Sequence, residues 1–405
     1  MKDENRMKQS LEASHAMEII FSKVPRVAEE RVSLGMAHGA ILREEIFADQ
    51  SMPPFDRSAM DGYAIQKEDC SESLLILEEI GMGTVPLQTV REGECSRIFT
   101  GGMIPGGADQ VIPQEMVERK ENRIHVLEKP RSSFIRYQGE DYRKGERLLK
   151  SGVRLGAIEL SILASVGAIF PLVSIPVRVV HFTSGNEIVS PEQVPEAGQI
   201  RNTNSILMES LLSKSGVRVV HQGHLVEDFR RSMELLQQVD KEEFDLLLIS
   251  GGASVGDHDY SKRILQELGF ELIFGSLNLR PGKPLVFGVR GRQLCFAIPG
   301  NPVSHFVIYH RFLKSVISKM EGGGEELNWR EGVLTEGIRE GKNSRHTLWP
   351  VKVEWERERG QYQITPLKWN SSGDLRGLLE CNGLLDIKAE GPEIQKGGEG
   401  VFLML

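Results

Sequence analysis

Hydrophobic and polar positions along the chain change rhythm four times. Over residues 10–45, Leu11, Met17 and Ile20, then Val32, Met36 and Ile41, recur at helical spacing, so two helices are expected there, the second weakened by Gly35 and Gly39. From about residue 53 to 150 the pattern shortens to β-like runs (LLILEEI, SRIF, QVIPQE, RIHVLE) between turns rich in glycine and proline, which predicts an all-β module. GAIELSILASV (156–166) then reads as an amphipathic helix closed by Gly167.

A βα alternation follows. The strands VRVVHF, VRVVH and FDLLLI alternate with the helices NTNSILMESLLSKSG, EDFRRSMELLQQV and YSKRILQELG. Asn202 or Thr203 is suited to cap the first of these helices and Gly216 to stop it. KPLVFGVRGRQLCFAIPG reads as two strands about a glycine-containing turn, and Pro302 opens a long helix to about Met320. Such alternation predicts a doubly wound, mostly parallel sheet with helices on both faces. Beyond the linker-like GGGEE, the stretch HTLWPVKVEWERERGQYQITPL alternates at period two about a charged turn, and the chain closes on VFLML. The expected organisation is therefore a segmented helical linker region (1–45 and 145–175), a β module (46–144), a central α/β domain (176–325) and a small C-terminal β domain (326–405).

Composition narrows the class. A length of 405 residues calls for two to four domains, and 40% hydrophobic residues suffices for ordinary cores. A net charge of -8 argues against broad nucleic-acid binding. The four cysteines, Cys70, Cys95, Cys295 and Cys381, lie far apart without a CxxC pair, against a zinc site or a disulfide framework. MKDENRMKQS lacks a signal-peptide core, and no apolar run reaches the roughly 18 residues of a membrane span. A cytoplasmic protein is expected.

Ligands of open α/β sheets bind beyond the carboxyl ends of the strands. Three unusual loops follow predicted strands of the central domain: TSGNE (183–187), SGGASVGDHDY (250–260) and AIPGNP (297–302). Each alone also reads as turn chemistry, and Asp257 and Asp259 as caps of the next helix. Together they predict one crevice in which glycines allow close backbone approach and two acids imply Mg²⁺ beside phosphate, with His258 a spacer. LRPGKP (279–284) holds Arg280 and Lys283 about a stiff turn suited to an oxyanion, or else a solvated surface turn. Neither GxGxxG after the first strand nor GxxxxGK[ST] occurs, which excludes the dinucleotide and P-loop readings.

PPFDRSAMDGYA, TGGMIPGGAD, GEDYRKGE, SGGASVGDHDY, RPGKPLVFG and PGNPVS occur in this order. Together they resemble the molybdopterin molybdenumtransferase family, bacterial MoeA and the E domain of gephyrin, over residues 10–405. The resemblance implies hydrolysis of adenylylated molybdopterin with Mg²⁺, release of AMP and insertion of molybdate. It also implies a homodimer with a site shared between subunits, and the upstream molybdopterin adenylyltransferase as a further partner. It assigns Asp61, Asp141, Asp228, Asp259 and Lys283 to catalysis. Thr100, Glu187, Ser250, Gly251, Gly252, Arg280, Pro299, Pro302, Arg345 and Ser372 go to substrate binding, and Glu187, Asp257 and Asp259 to the metal. Where the family usually has TGDE this chain has SGNE, so Asn186 removes one charge. Tungstate in place of molybdate, and a non-catalytic scaffold of the gephyrin type, are the rival readings.

Overall fold

Proline and glycine punctuation decides where the chain turns, and the apolar runs between decide what is buried. In the computed structural model, which describes residues 10–251, 258–338 and 344–405 and only the backbone of His258 and Asp259, the chain divides into two compact units. One comprises the described residues of Met1–Arg43, Ser151–Gly156 and Leu172–Leu405; the other is Glu44–Lys150 with Ala157–Pro171.

The first helix forms as expected, α1 (Ala13–Lys23), burying Ala13, Ala16, Met17 and Ile20. The second does not. Its place is taken by a short strand, β1 (Glu29–Arg31), and a single 3₁₀ turn, Leu34–Met36. Pro25 and left-handed Gly39 (φ 80°) interrupt any helix there.

In the second unit, β2 (Gly62–Ile65), β3 (Leu74–Ile80), β4 (Glu94–Ile98), β5 (Gln110–Pro113), β6 (Val117–Lys120) and β7 (Arg123–Val126) form one sheet in the order β5-β2-β4-β3-β7-β6. Alternation sends Tyr63, Ile65 and Ile112 to one core and Ala64, Val111 and Ile98 to another. The helix α2 (Ala157–Ser165) ends before Gly167 at φ 69°. It is less amphipathic than its sequence suggests, since Leu163 alone is buried.

The first unit resumes with β8 (Leu172–Ser174), antiparallel to β1. Next come β9 (Arg178–Ser184), α3 (Asn204–Lys214), β10 (Arg218–Leu225), α4 (Phe229–Val239), β11 (Leu246–Gly251), α5 (His258–Glu267) and β12 (Glu271–Phe274). A two-residue strand β13 (Leu279–Arg280) precedes β14 (Val286–Arg290) and β15 (Gln293–Ile298). The sheet order is β10-β9-β11-β15-β14-β12. The pairs β9–β10, β9–β11 and β11–β15 are parallel, while β14 and β12 join antiparallel at one edge. The edge strand β12 has no counterpart in the sequence reading, where ELIF is too short to separate from the helix before it. Phe274, Phe287 and Phe296 pack on one face, and Phe182, Ile249 and Ile264 on the other. The long helix predicted from Pro302 is α6 (Pro302–Ile308), a π turn at Tyr309–Leu313, and α7 (Lys314–Glu321) ending at left-handed Gly322.

Five strands follow toward the C-terminus: β16 (Asn328–Leu334), β17 (His346–Glu356), β18 (Gln361–Pro366), β19 (Gly383–Ile387) and β20 (Glu399–Met404). Their order is β17-β18-β16-β20-β19, and β19 pairs back onto β17, which closes a small barrel around Leu334, Val351, Ile364 and Phe402. β13 adds to β17 in parallel, Arg280 opposite Thr347, and so ties the RPGKP turn to this barrel.

Candidate functional site

The parallel register brings three strand ends to one level. Ser184 stands opposite Gly251, and Ser250 opposite both Thr183 and Ile298. β10 lies on one side of β9 and β11 on the other, so the winding reverses between β9 and β11. Such switch points leave a crevice beyond the strand ends. A cleft of about 990 Å³ opens there. Its lining includes Glu187, Ser250, Gly251, Arg280, Lys283, Pro299, Pro302, Arg345 and Ser372, nine of the residues singled out in the sequence.

Two glycines are dictated by this geometry. Gly251 has φ 107°, and a Cβ there would lie 2.3 Å from the Ser184 carbonyl oxygen. Gly185 has φ 141°, and a Cβ would lie 2.6 Å from the Glu187 carboxylate, which folds back over it. The PGNP turn closes on the same spot, with Gly300 packed against the Gly251 backbone.

Polar groups are held rather than loose. Asn186 donates from Nδ2 to the Glu227 carboxylate at 3.0 Å and accepts from the Glu227 N–H at 3.0 Å, joining the loops after β9 and β10. Asn202 Oδ1 accepts from the Ser205 N–H at 3.0 Å at the start of α3, and its Nδ2 donates to Thr183 Oγ1 at 3.0 Å. Asn204 Nδ2 donates to the Gly300 carbonyl at 2.7 Å. Beneath the cleft floor, burial lowers the His181 pKa to about 3 and that of His305 to about 4, so both are neutral at pH 7. The Gln222 amide nitrogen, which donates to the Ser205 carbonyl at 3.1 Å, also lies 3.4 Å from His181 Nδ1 and can only donate there, which assigns the ring proton to Nε2, 2.8 Å from Ser250 Oγ. His181 therefore holds Ser250 and is no base for it. On the opposite wall the Arg280 guanidinium lies 5.4 Å from the centre of the Trp369 ring, which stands edge-on to Trp349.

Four cationic side chains, Arg201, Arg280, Lys283 and Arg345, and two carboxylates, Glu187 and Glu227, line the cleft among the described residues. The arrangement can neutralise a polyanion while leaving oxygen ligands for a cation. No group of three or more His, Cys, Asp or Glu side chains able to hold a metal exists among the described residues. Gly252 and Asp257, and the side chain of Asp259, lie outside them. Asp228 is the N-cap of α4, its carboxylate accepting from the Arg231 N–H at 3.0 Å; its neighbour Glu227 is the residue that lines the cleft.

The remaining assigned residues belong to the other unit. Asp61 accepts from both the N–H and the hydroxyl of Thr100 at 2.7 Å, and these bonds hold its carboxyl below the usual range. Asp141 pairs with Arg136 at 2.6 Å.

Sequence reasoning passed over Asn301, Trp369, Glu227 and His181. Asn301 lies inside the quoted AIPGNP, Trp369 lies two residues past the quoted period-two stretch, Glu227 adjoins Asp228, and His181 is the polar residue between Val180 and Phe182 in β9.

Three family models match successive parts of the chain. They are the MoeA N-terminal region (domain I and II) over residues 11–167, a probable molybdopterin binding domain over 181–319, and the MoeA C-terminal region (domain IV) over 331–401. The chain is 34% identical over 326 residues to the molybdopterin molybdenumtransferase of a Nostoc species, covering 77% of this chain and 74% of that one. It is 32% identical over 386 residues to that of Synechococcus elongatus, covering 91% and 93%. The crystal structure of the molybdopterin biosynthesis MoeA protein from Pyrococcus horikoshii OT3 superposes with a TM-score of 0.82 at 28% identity, covering 98% of this chain and 100% of that one. With the three regions matched in order and the fold shared along the whole length, the chain belongs to the MoeA family of molybdopterin molybdenumtransferases.

Proposed function

We propose that this protein inserts molybdate into adenylylated molybdopterin, releasing AMP, and that the cleft at the β9/β11 switch point is where that substrate binds. The observation that carries the reading is the convergence of Glu187, Gly251, Arg280, Lys283, Arg345 and Ser372, from five separate segments, on one cleft of about 990 Å³. Gly251 lines the cleft, and a glycine backbone suits the close approach of a phosphate. Lys283 and Arg280 offset the charge of a phosphoanhydride or of a tetrahedral oxyanion, and Arg345 and Ser372 complete that wall. Holding the oxyanion beside the bound pterin supplies proximity, so no protein nucleophile is needed.

Mg²⁺ fits this donor set, because it takes one or two carboxylates and completes its shell with phosphate oxygens and water. Glu187 would hold it, with Asp257 and Asp259 as the further candidates, and when bound it withdraws charge from the phosphates. We further infer a homodimer in which Asp61 and Thr100 are supplied to the site by the partner subunit, as the family resemblance implies, with Asp141 a further acidic position of the same module. Asn186 removes a charge where the family usually has an acid, and it is the departure on which the second reading, insertion of tungstate, rests.

The test is to mix purified protein with adenylylated molybdopterin, Mg²⁺ and molybdate, and to follow AMP and the metallated pterin. AMP release that depends on molybdate supports the reading. Release in its absence at the same rate, or none at all, contradicts it; a clear preference for tungstate over molybdate selects the second reading.

A further inference from the structure

Asn301 stands at the N-cap of α6, where an asparagine side chain ordinarily accepts from a backbone N–H of the first helical turn. Here it makes no such bond. Its Nδ2 donates instead to Ser372 Oγ at 2.8 Å, across from the PGNP turn to the loop after β18. The same loop is held a second time, because the Val303 N–H donates to the Ser372 carbonyl at 3.0 Å. Asn301 and Ser372 both line the cleft, together with Arg280 and Arg345.

A serine hydroxyl has one proton to donate and two lone pairs to accept with. The Asn301 amide occupies a lone pair, which leaves the proton for an acceptor in the cleft. A tetrahedral oxyanion can only accept, so a hydroxyl committed to donation suits it and one turned toward a protein acceptor does not. Donation from the amide also polarises the hydroxyl and strengthens the bond it makes in turn. We propose that Asn301 is a positioning residue that fixes the Ser372 hydroxyl as a donor to the oxyanion, at the expense of capping its own helix. The proposal rests on the reading of the cleft as an oxyanion site.

The test measures binding of molybdate and of tungstate ions to the full-length protein by equilibrium dialysis, for the wild type, Asn301→Asp, Asn301→Ala, Ser372→Ala and the double alanine variant. In Asn301→Asp the carboxylate accepts the Ser372 proton, and oxyanion affinity falls by about ten- to a hundredfold, the range of a hydrogen bond to a charged group. Asn301→Ala weakens binding by about three- to tenfold, and the double variant is no weaker than Ser372→Ala, because Asn301 acts through Ser372. In turnover the same variants raise KM for molybdate and leave KM for adenylylated molybdopterin in place, which a loss of helix capping alone would not do. If Asn301→Asp does not fold, the alanine cycle decides. Wild-type affinity in either Asn301 variant, or additive losses in the double variant, overturns the proposal alone. A wild-type protein that binds neither ion and releases no AMP overturns the functional reading, and the proposal with it.

Discussion

Replacing Gly251 by alanine tests the closeness of β9 and β11 at the cleft floor. Two penalties can be read from the geometry. A φ of 107° is foreign to L-residues, and the nearest measure, the left-handed region, costs about 1–2 kcal/mol. The new Cβ would also lie 2.3 Å from the Ser184 carbonyl oxygen. An ordinary C···O contact of about 3.3 Å requires the strands to part by roughly 1 Å, at the level of one ladder hydrogen bond worth about 1 kcal/mol. The sum is about 2–3 kcal/mol, which for a unit of this size lowers Tm by roughly 4–12 °C. Calorimetry on Gly251→Ala and on Gly300→Ala makes the comparison. Gly300 has no positive φ, and its Cβ would stand 3.4 Å from Gly251 Cα, an ordinary contact, so that variant should melt near the wild type. Turnover of Gly251→Ala should fall by about a hundredfold, as expected for a misplacement of this order. A Gly251→Ala protein that melts within about 1 °C of the wild type and turns over normally would refute the reasoning.

Burial pushes the Glu321 carboxyl up to about 7 despite Arg154 at 3.5 Å, so the native state holds a proton that the unfolded chain releases from about pH 4.5 upward. Stability is therefore lost as pH rises from 4.5 through 7, by at most about 3 kcal/mol; Glu321→Gln should gain on the wild type in urea melts between pH 5 and pH 8, and a constant difference would contradict this. In Asn186→Asp the donor to Glu227 is replaced by a like charge, so Tm should drop in EDTA and recover with Mg²⁺; equal melting in both buffers would remove Asn186 from the neighbourhood of a cation site. Lys283→Met should leave the turn intact, because the Leu277 N–H holds the Lys283 carbonyl at 2.7 Å, yet weaken binding of adenylylated molybdopterin and molybdate by about tenfold or more. Unchanged affinities, measured by calorimetric titration, would place the Lys283 ammonium outside the site.

The cleft was legible in the sequence because its parts carry local signals. A strand ending in Ser250-Gly251, a turn at Arg280-Pro-Gly-Lys283 and a Pro299-Gly-Asn-Pro302 turn stand out from any neighbouring pattern. A parallel sheet then obliges loops after like strands to share a rim. The second helix read from Val32, Met36 and Ile41 misled because periodicity does not register a partner: nearby Glu29–Arg31 pairs with Leu172–Ser174, over a hundred residues away. β12 was hidden by its length of four residues. Asn301 and Trp369 were invisible as functional residues because their roles depend on Ser372 and Arg280, which only tertiary structure brings to them. Asp228 shows the converse, an acid whose carboxylate is engaged in capping α4.

Hydrogen exchange with and without adenylylated molybdopterin shows whether the substrate occupies the crevice at the β9/β11 switch point. Slowed exchange is expected in four separate segments, 183–188, 250–251, 280–284 and 299–304, most of whose residues line one cleft. Unchanged exchange in all four segments, under conditions where binding is shown independently, would contradict that placement.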